Sequence, residues 1–245
     1  MLSSLPIKAL RIDWDEVGKE SYLRSIPALA ELDELTFSAP VTFFAGENGS
    51  GKSTLLEAIA VSCGFNPEGG TRNYRFSTYD SHSALGEALQ LSRGVRRVAR
   101  GFFLRAESFY NVATMEEAYS RGPGGRPQHF HERSHGESFL ALAQNSFGAN
   151  GIYLLDEPEA ALSPQRLLAL MLEIDRCVKA GSQFIIATHS PILMAMPGAE
   201  IVSFDGTIHA CALEETQSWQ LTSLFINHRA QVLDKLFDDG RRADG

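Results

Sequence analysis

Short apolar runs alternate along this chain with segments of helical period, and the alternation predicts a fold class. Ile7 to Asp13 and Val41 to Ala45 read as short strands, the second running straight into a glycine-rich loop. Beyond the loop, Leu56, Ile59, Ala60 and Cys63 recur at i, i+3, i+4 and i+7, one face of a helix, with Gly64 where a helix C-cap belongs. Residues 66–100 are polar, contain Gly69-Gly70, and are expected to be loops plus one helix. Gly101 to Phe109 (GFFLRAESF) predicts a strand ending in a polar turn, and GPGGR at 122–126 predicts a loop. A helix is expected from Ser134, with Phe139, Leu140, Ala143 and Phe147 on one face. Ile152 to Leu155 and Phe184 to Ala187 have the unbroken apolar character of buried strands. Between them Pro164 opens a helix with the stripe Leu167, Leu170, Met171, Ile174 and Val178, stopped by Gly181. Ile201 to Phe204 and Thr207 to Ala210, joined by Asp205-Gly206, predict a hairpin, and 214–238 a terminal helical segment. Strands alternating with helices predict an α/β fold around a largely parallel sheet.

Composition narrows the use of such a fold. Lys and Arg number 22 against 30 Asp and Glu, and the net charge of -8 argues against a protein that coats DNA or an anionic membrane. Cys63, Cys177 and Cys211 are widely spaced without a CxxC pair, which excludes a disulfide framework or zinc module and suits the reducing cytoplasm. The start, MLSSLPIKALRIDWDE, has neither a basic nor an apolar leader pattern. The longest apolar run, Leu167 to Leu172, is far short of the roughly 18 residues of a spanning helix. A soluble cytoplasmic protein without direct membrane insertion is therefore expected.

Gly46-Glu47-Asn48-Gly49-Ser50-Gly51-Lys52-Ser53, followed by Thr54, fits G-x-x-x-x-G-K-[ST] between a strand and a helix. Its glycines let successive N–H groups turn inward onto phosphate oxygens, and the new helix adds its positive end. Lys52 would reach the β- and γ-phosphates and Ser53 would offer its hydroxyl to Mg²⁺, so ATP and Mg²⁺ are the expected cofactors. Ile152 to Leu155 then ends in Asp156-Glu157. The strand would carry Asp156 beside the phosphate loop to hold Mg²⁺ through water, with Glu157 as the base that polarises the attacking water. His189, just past the strand Phe184 to Ala187, can donate to the γ-phosphate. Arg133-Ser134-His135-Gly136-Glu137-Ser138 has two readings. Ser134 and Glu137 make a capping box, and a serine and glycine at a helix start also suit a second phosphate contact.

In order and spacing, GENGSGKST, SHGES, LLDEP with EAALSP, and THS resemble the ABC-type ATPases of the P-loop NTPase superfamily. The phosphate loop resembles those of SMC, RecF and overcoming-lysogenization-defect heads. FFLRAESF, SHGES, DEPEAALSP, ATHSPILM and SFDGTI are similar to short stand-alone bacterial ATPases over nearly the whole chain. The resemblance implies one ABC-type head over 1–245 with a helical lobe at about 108–147. It implies an ATPase that dimerises head-to-tail around two Mg-ATP and serves as motor or switch for an unidentified protein partner. Catalysis would fall to Lys52, Glu157 and His189, and the metal to Ser53, Asp156 and Glu107. The nucleotide would sit on residues 46–54, with Ser134, Gly136 and Glu137 contributed to the neighbouring copy's site. Glu159 to Ser163 would form the D-loop at the seam.

The chain departs from that family in three places. SHGES has one glycine and a glutamate, Ser163 stands where an aspartate is usual, and Glu107 stands where transporters place glutamine. Two other functions compete, the ATP-binding subunit of a membrane importer and a nucleotide-gated DNA-repair or phage-defence module. A genuine SMC protein is not expected, because 81 residues between Lys52 and Ser134 leave no room for a long coiled coil. Trp14 and Tyr22 are the candidates to stack on adenine, and Arg72 matches loosely an arginine of SMC-type heads. His129, His131 and His135 with Glu132 lack metal-ligand spacing. Arg93, Arg96, Arg97 and Arg100 share one face if their stretch is helical, which could hold nucleic-acid phosphates, although a solvated or acid-paired face is favoured.

Overall fold

The computed structural model describes residues 5–71, 85–96, 98–109, 111–112, 114 and 135–238, with His135 and Asp238 by their backbone alone. Ser134, Arg72, Arg97, Arg133, His129, His131 and Glu132 lie outside the described residues, as do residues 115–134 of the expected lobe. In chain order the elements are β1 (Ile7–Ile12), α1 (Pro27–Ala30), β2 (Glu34–Thr36), β3 (Val41–Ala45), α2 (Lys52–Ser62), α3 (Leu85–Ala88), β4 (Leu89–Arg93) and β5 (Arg100–Arg105). There follow α4 (His135–Ser146), β6 (Gly151–Asp156), α5 (Pro164–Lys179), β7 (Gln183–Ala187), α6 (Pro191–Met194), β8 (Glu200–Ser203), β9 (His209–Cys211), α7 (Gln217–Asn227) and α8 (Arg229–Asp238).

Among the described residues the main sheet has the order β5-β6-β7-β3-β8-β9, parallel except for β9, and a second, antiparallel sheet has the order β2-β1-β4. Every residue of β3, β6 and β7 is buried, because helices cover one face and the small sheet with α2 covers the other. Alternate residues divide between two cores. Phe43, Phe102, Tyr153, Phe184 and Ile186 pack with α4 and α5 through Phe139, Leu142, Leu170 and Ile174. Phe44, Phe103, Leu154 and Ile185 pack with Leu55, Leu56 and Ile59 of α2 and with Ile7 and Leu10 of β1. Gly64 and Gly181 take φ +83° and +88°, the left-handed caps expected after α2 and α5. Among the described residues no helix is long and apolar enough to cross a membrane.

Residues 66–100 depart from expectation. Leu89–Arg93 is a strand, held by β1 in the register Leu10↔Leu91 and Ile12↔Leu89. The shared helical face of Arg93, Arg96, Arg97 and Arg100 is accordingly wrong, since Arg93 ends one strand and Arg100 begins another. Two glycines enforce this. A Cβ on Gly94 would stand 2.0 Å from the Leu5 carbonyl, and one on Gly101 2.7 Å from that of Ile152. Arg93 instead donates to the Ser62 carbonyl (2.9 Å) at the end of α2, where a cation meets the negative helix terminus. The expected terminal helical segment is two helices, broken at His228 with φ -130°.

Candidate functional site

Parallel register brings five strand ends to one edge. Phe44 lies beside Ala187, Ala187 beside Asp156, Asp156 beside Arg105, and Ala45 beside Ser203. The residues just past these ends are Gly46, Thr188, Glu157, Glu107 and Asp205, so the motifs converge because the strands start level.

The loop after β3 curls through Gly46, Gly49 and Gly51 at φ +145°, +80° and +102°. Gly51 has no freedom in space either, since a Cβ would stand 2.9 Å from Ile26 Cγ2. Lys52 is 3 % exposed, and its Nζ donates to the carbonyls of Gly46 (2.8 Å) and Glu47 (2.7 Å). Burial holds its pKa below the ordinary lysine value against the pull of Glu157, Asp205 and Asp156. Glu47, Asn48 and Gly49 are exposed, while Ser53 and Thr54 are half-buried at the start of α2. Asp205, unremarked in the sequence beyond a hairpin turn, accepts from the Glu47 N–H at 3.0 Å and pins the loop to β8.

Asp156 is 6 % exposed. The Ser53 hydroxyl donates to its Oδ1 (2.8 Å), and Arg105 Nε stands 3.4 Å from Oδ2. Arg105, which sequence reasoning missed, also binds Glu57 Oε2 of α2 (2.7 Å) and approaches Glu107 Oε2 (4.0 Å). Glu107 itself is largely solvated, its side chain 89 % exposed. Burial pushes Asp156 up to about 6, Arg105 and Ser53 opposing. The folded state therefore holds this proton between about pH 4, where an unfolded aspartate titrates, and 6, and stability falls as pH rises through that window, by about 2–3 kcal/mol in all. Thermal unfolding of the nucleotide-free protein across pH 4–7 checks this, and Asp156→Asn is expected to lose that component of the slope.

Glu157 turns the chain with φ 49° and ψ 51°, an uncommon conformation for a residue with a Cβ. Its carboxylate comes within 3.7 Å of His189 Nε2. The Glu159 carboxylate accepts from the Thr188 hydroxyl (2.7 Å) and from the His189 backbone N–H, which ties the segment after β6 to the segment after β7. Four buried side-chain polar atoms among the described residues make no hydrogen bond. Three of them, Ser50 Oγ, Glu159 Oε2 and His189 Nε2, belong to these converging segments. Leaving each unmade costs about 1–3 kcal/mol, so this edge is built for polar atoms of something bound. A phosphate chain fits, with N–H groups and Lys52 for its oxygens and the Ser53 and Asp156 pair for a cation.

At the start of α4 a Cβ on Gly136 would stand 3.0 Å from the Ala161 carbonyl and 2.9 Å from Arg166 Nη1. Glu137 pairs with Arg166 at 3.0 Å, which offsets the extra charge of SHGES. Ser163 occupies the N-cap position of α5, but its side chain makes no capping bond. Trp14 is engaged, its N–H donating to the Leu32 carbonyl (3.0 Å) and Arg24 lying 5.4 Å over its ring. Tyr22 is 62 % exposed and opens the short turn into α1, whose N-cap Ile26 and inner Leu29 abut Gly51.

The family described as "AAA domain" matches residues 21–112, and that described as "AAA domain, putative AbiEii toxin, Type IV TA system" matches 137–195. The SMC head domain from Thermotoga maritima is 15 % identical over 85 % of this chain and 100 % of its own, with a TM-score of 0.46. The cbiO1 protein from Clostridium perfringens, part of the ABC transporter complex cbiONQ, is 15 % identical over 81 % of this chain and 88 % of its own, with a TM-score of 0.46. No curated protein matches the chain.

Proposed function

We propose that this chain is a P-loop NTPase of the ABC/SMC-like kind that binds ATP with Mg²⁺ on residues 46–54 and hydrolyses it between two copies arranged head-to-tail. The observation that carries the reading is a buried lysine turned onto its own loop beside the bonded pair Ser53 and Asp156, with Ser50 Oγ and His189 Nε2, which make no hydrogen bond, on the same edge. Bound ATP lets Lys52 exchange two carbonyls for the β- and γ-phosphate oxygens. Ser53, through its hydroxyl, and Asp156, through water, would hold Mg²⁺, which would supply charge neutralisation on the phosphates. Glu157 accepts the proton of the attacking water, and His189 Nε2 donates to the γ-phosphoryl group, so catalysis is positioning and electrostatics. Glu107 orients water or cation at the outer side.

Ser134 and Gly136 of one copy contact the γ-phosphate bound by the other, with Glu159 to Ser163 at the seam. The lock of Glu159 on His189 supports this, because a shift of the seam moves the histidine directly. The single head spans 1–245, with its lobe at about 108–147, and its opening and closing drive a protein partner. The test is phosphate release from ATP with and without Mg²⁺. Absence of both Mg²⁺-dependent release and nucleotide binding would sink the reading.

Of the two aromatic candidates, Tyr22, 62 % exposed where Trp14 is engaged, is the one that stacks on adenine in this reading. Tyr22→Ala is expected to weaken ATP about fivefold, roughly 1 kcal/mol of stacking, without affecting triphosphate binding, as titration against ATP and inorganic triphosphate would reveal.

A further inference from the structure

The edge that would hold the triphosphate is rich in acids. Glu47, Glu107, Asp156, Glu157, Glu159 and Asp205 stand on the segments that converge there. Among the described residues these segments carry two permanent cations, Lys52 and Arg105, and Arg105 is already committed to Glu57 and Asp156. A bound triphosphate adds more negative charge than its Mg²⁺ removes. Closing two such edges on each other therefore calls for cations from outside the site.

Arg166 is placed to supply one. It stands in the first turn of α5, a turn without an acid, at the end where the helix dipole disfavours a cation. Its guanidinium does not turn away into solvent. Nη2 meets Glu137 Oε1 at 3.0 Å, and Nη1 and Cδ lie 2.9 and 3.2 Å from where a Cβ on Gly136 would stand. The side chain is thus laid across the glycine of SHGES, which the head-to-tail pairing sets against the other copy's γ-phosphate. Arg166 is 33 % exposed and has no partner besides Glu137 among the described residues. Its planar fork of five N–H donors therefore keeps donors for an anion. Glu137 without it would repel the phosphate that Gly136 approaches.

We propose that Arg166 of one copy donates to the γ-phosphate of the ATP held by the other, an inference that rests on the head-to-tail pairing proposed above. Arg166→Gln keeps the stem on Gly136 and a donor for Glu137, and such part-exposed pairs contribute little to stability. The variant is expected to melt as the wild type does and to lose turnover by about 10²–10³-fold, as for one missing donor to the transition state. Arg166→Lys, with the charge but not the fork, recovers part of the loss. Arg166→Gln is then mixed with Glu157→Gln before ATP is added. In a mixed pair one site joins the intact Glu157 of the first chain to the intact Arg166 of the second. Phosphate release should rise well above the sum of the two variants alone, and no rise overturns the proposal. In Glu137→Gln with Arg166→Gln, two amides keep a neutral hydrogen-bonded tie between α4 and α5, and turnover should stay low. Recovery to the wild-type rate would make Arg166 a brace or counter-charge and overturn its contact with phosphate. A wild type without Mg²⁺-dependent phosphate release removes the pairing and this proposal together, whereas an active wild type with either contrary result removes this proposal alone.

Discussion

Replacing Glu157 by glutamine is expected to lower ATP turnover by about 10³-fold, within the range for loss of a general base, while ATP affinity stays within a fewfold. The amide keeps the size and reach of the carboxylate but takes no proton from water. It leaves the backbone bond from the Glu157 N–H to Ala187 and the Ser53 and Asp156 pair in place. Binding and chemistry should therefore separate, with uncleaved ATP retained by the variant in single-turnover experiments. The position favours this reading over a solvated acid. At φ 49° the chain swings the side chain out of line with β6, so successive acids serve different neighbours, Asp156 facing Ser53 and Arg105 and Glu157 facing His189. That conformation costs on the order of 1 kcal/mol. Glu157→Gly should consequently raise the melting temperature while abolishing turnover. A glutamine variant with wild-type turnover would remove Glu157 from the chemistry.

What the sequence made legible was local. Apolar runs of four to six residues and a glycine motif state their own conformation, so β3, β6 and β7 and the loop after β3 agree with expectation. β4 was illegible because LQLSR has one fully buried leucine, and its strand state comes from pairing with β1 nearly eighty residues upstream. The arginine spacing at 93–100 is arithmetic that a strand, turn and strand satisfy as well as a helix does. The forbidden Cβ on Gly94 decides between them, and the sequence shows only a glycine. The contacts of Asp205 and Glu159 were hidden for the same reason as β4. Their partners, Glu47 and Thr188, lie 158 and 29 residues away and arrive by sheet register. Arg105 did leave a signal, a charge ending the apolar run GFFLR as Asp156 ends IYLLD.

That parallel between strand ends carries the second large effect. Arg105→Met is expected to destabilise the nucleotide-free protein by about 3 kcal/mol, as removing one partner of a largely buried ion pair does. Glu57 loses a contact of 2.7 Å, and Asp156 loses the cation at 3.4 Å that offsets its burial. A merely structural arginine would predict nothing more. Here the pKa of Asp156, already about 6, rises further, so that near neutral pH more of the free protein carries a proton where the cation's water should bind. The Mg²⁺ needed for half-maximal binding of a fluorescent ATP analogue should rise, most steeply below pH 7, while binding in the presence of a chelator stays the same. Arg105→Lys keeps the charge but not the fork that spans Glu57 and Asp156, and should recover part of the Mg²⁺ dependence. Equal loss of nucleotide binding with and without Mg²⁺ would reduce Arg105 to a packing residue. A selective loss would mean that Glu57 of the phosphate-loop helix and Asp156 of the acid strand are held in register by one guanidinium, which sets the distance across which Ser53 and Asp156 share a cation.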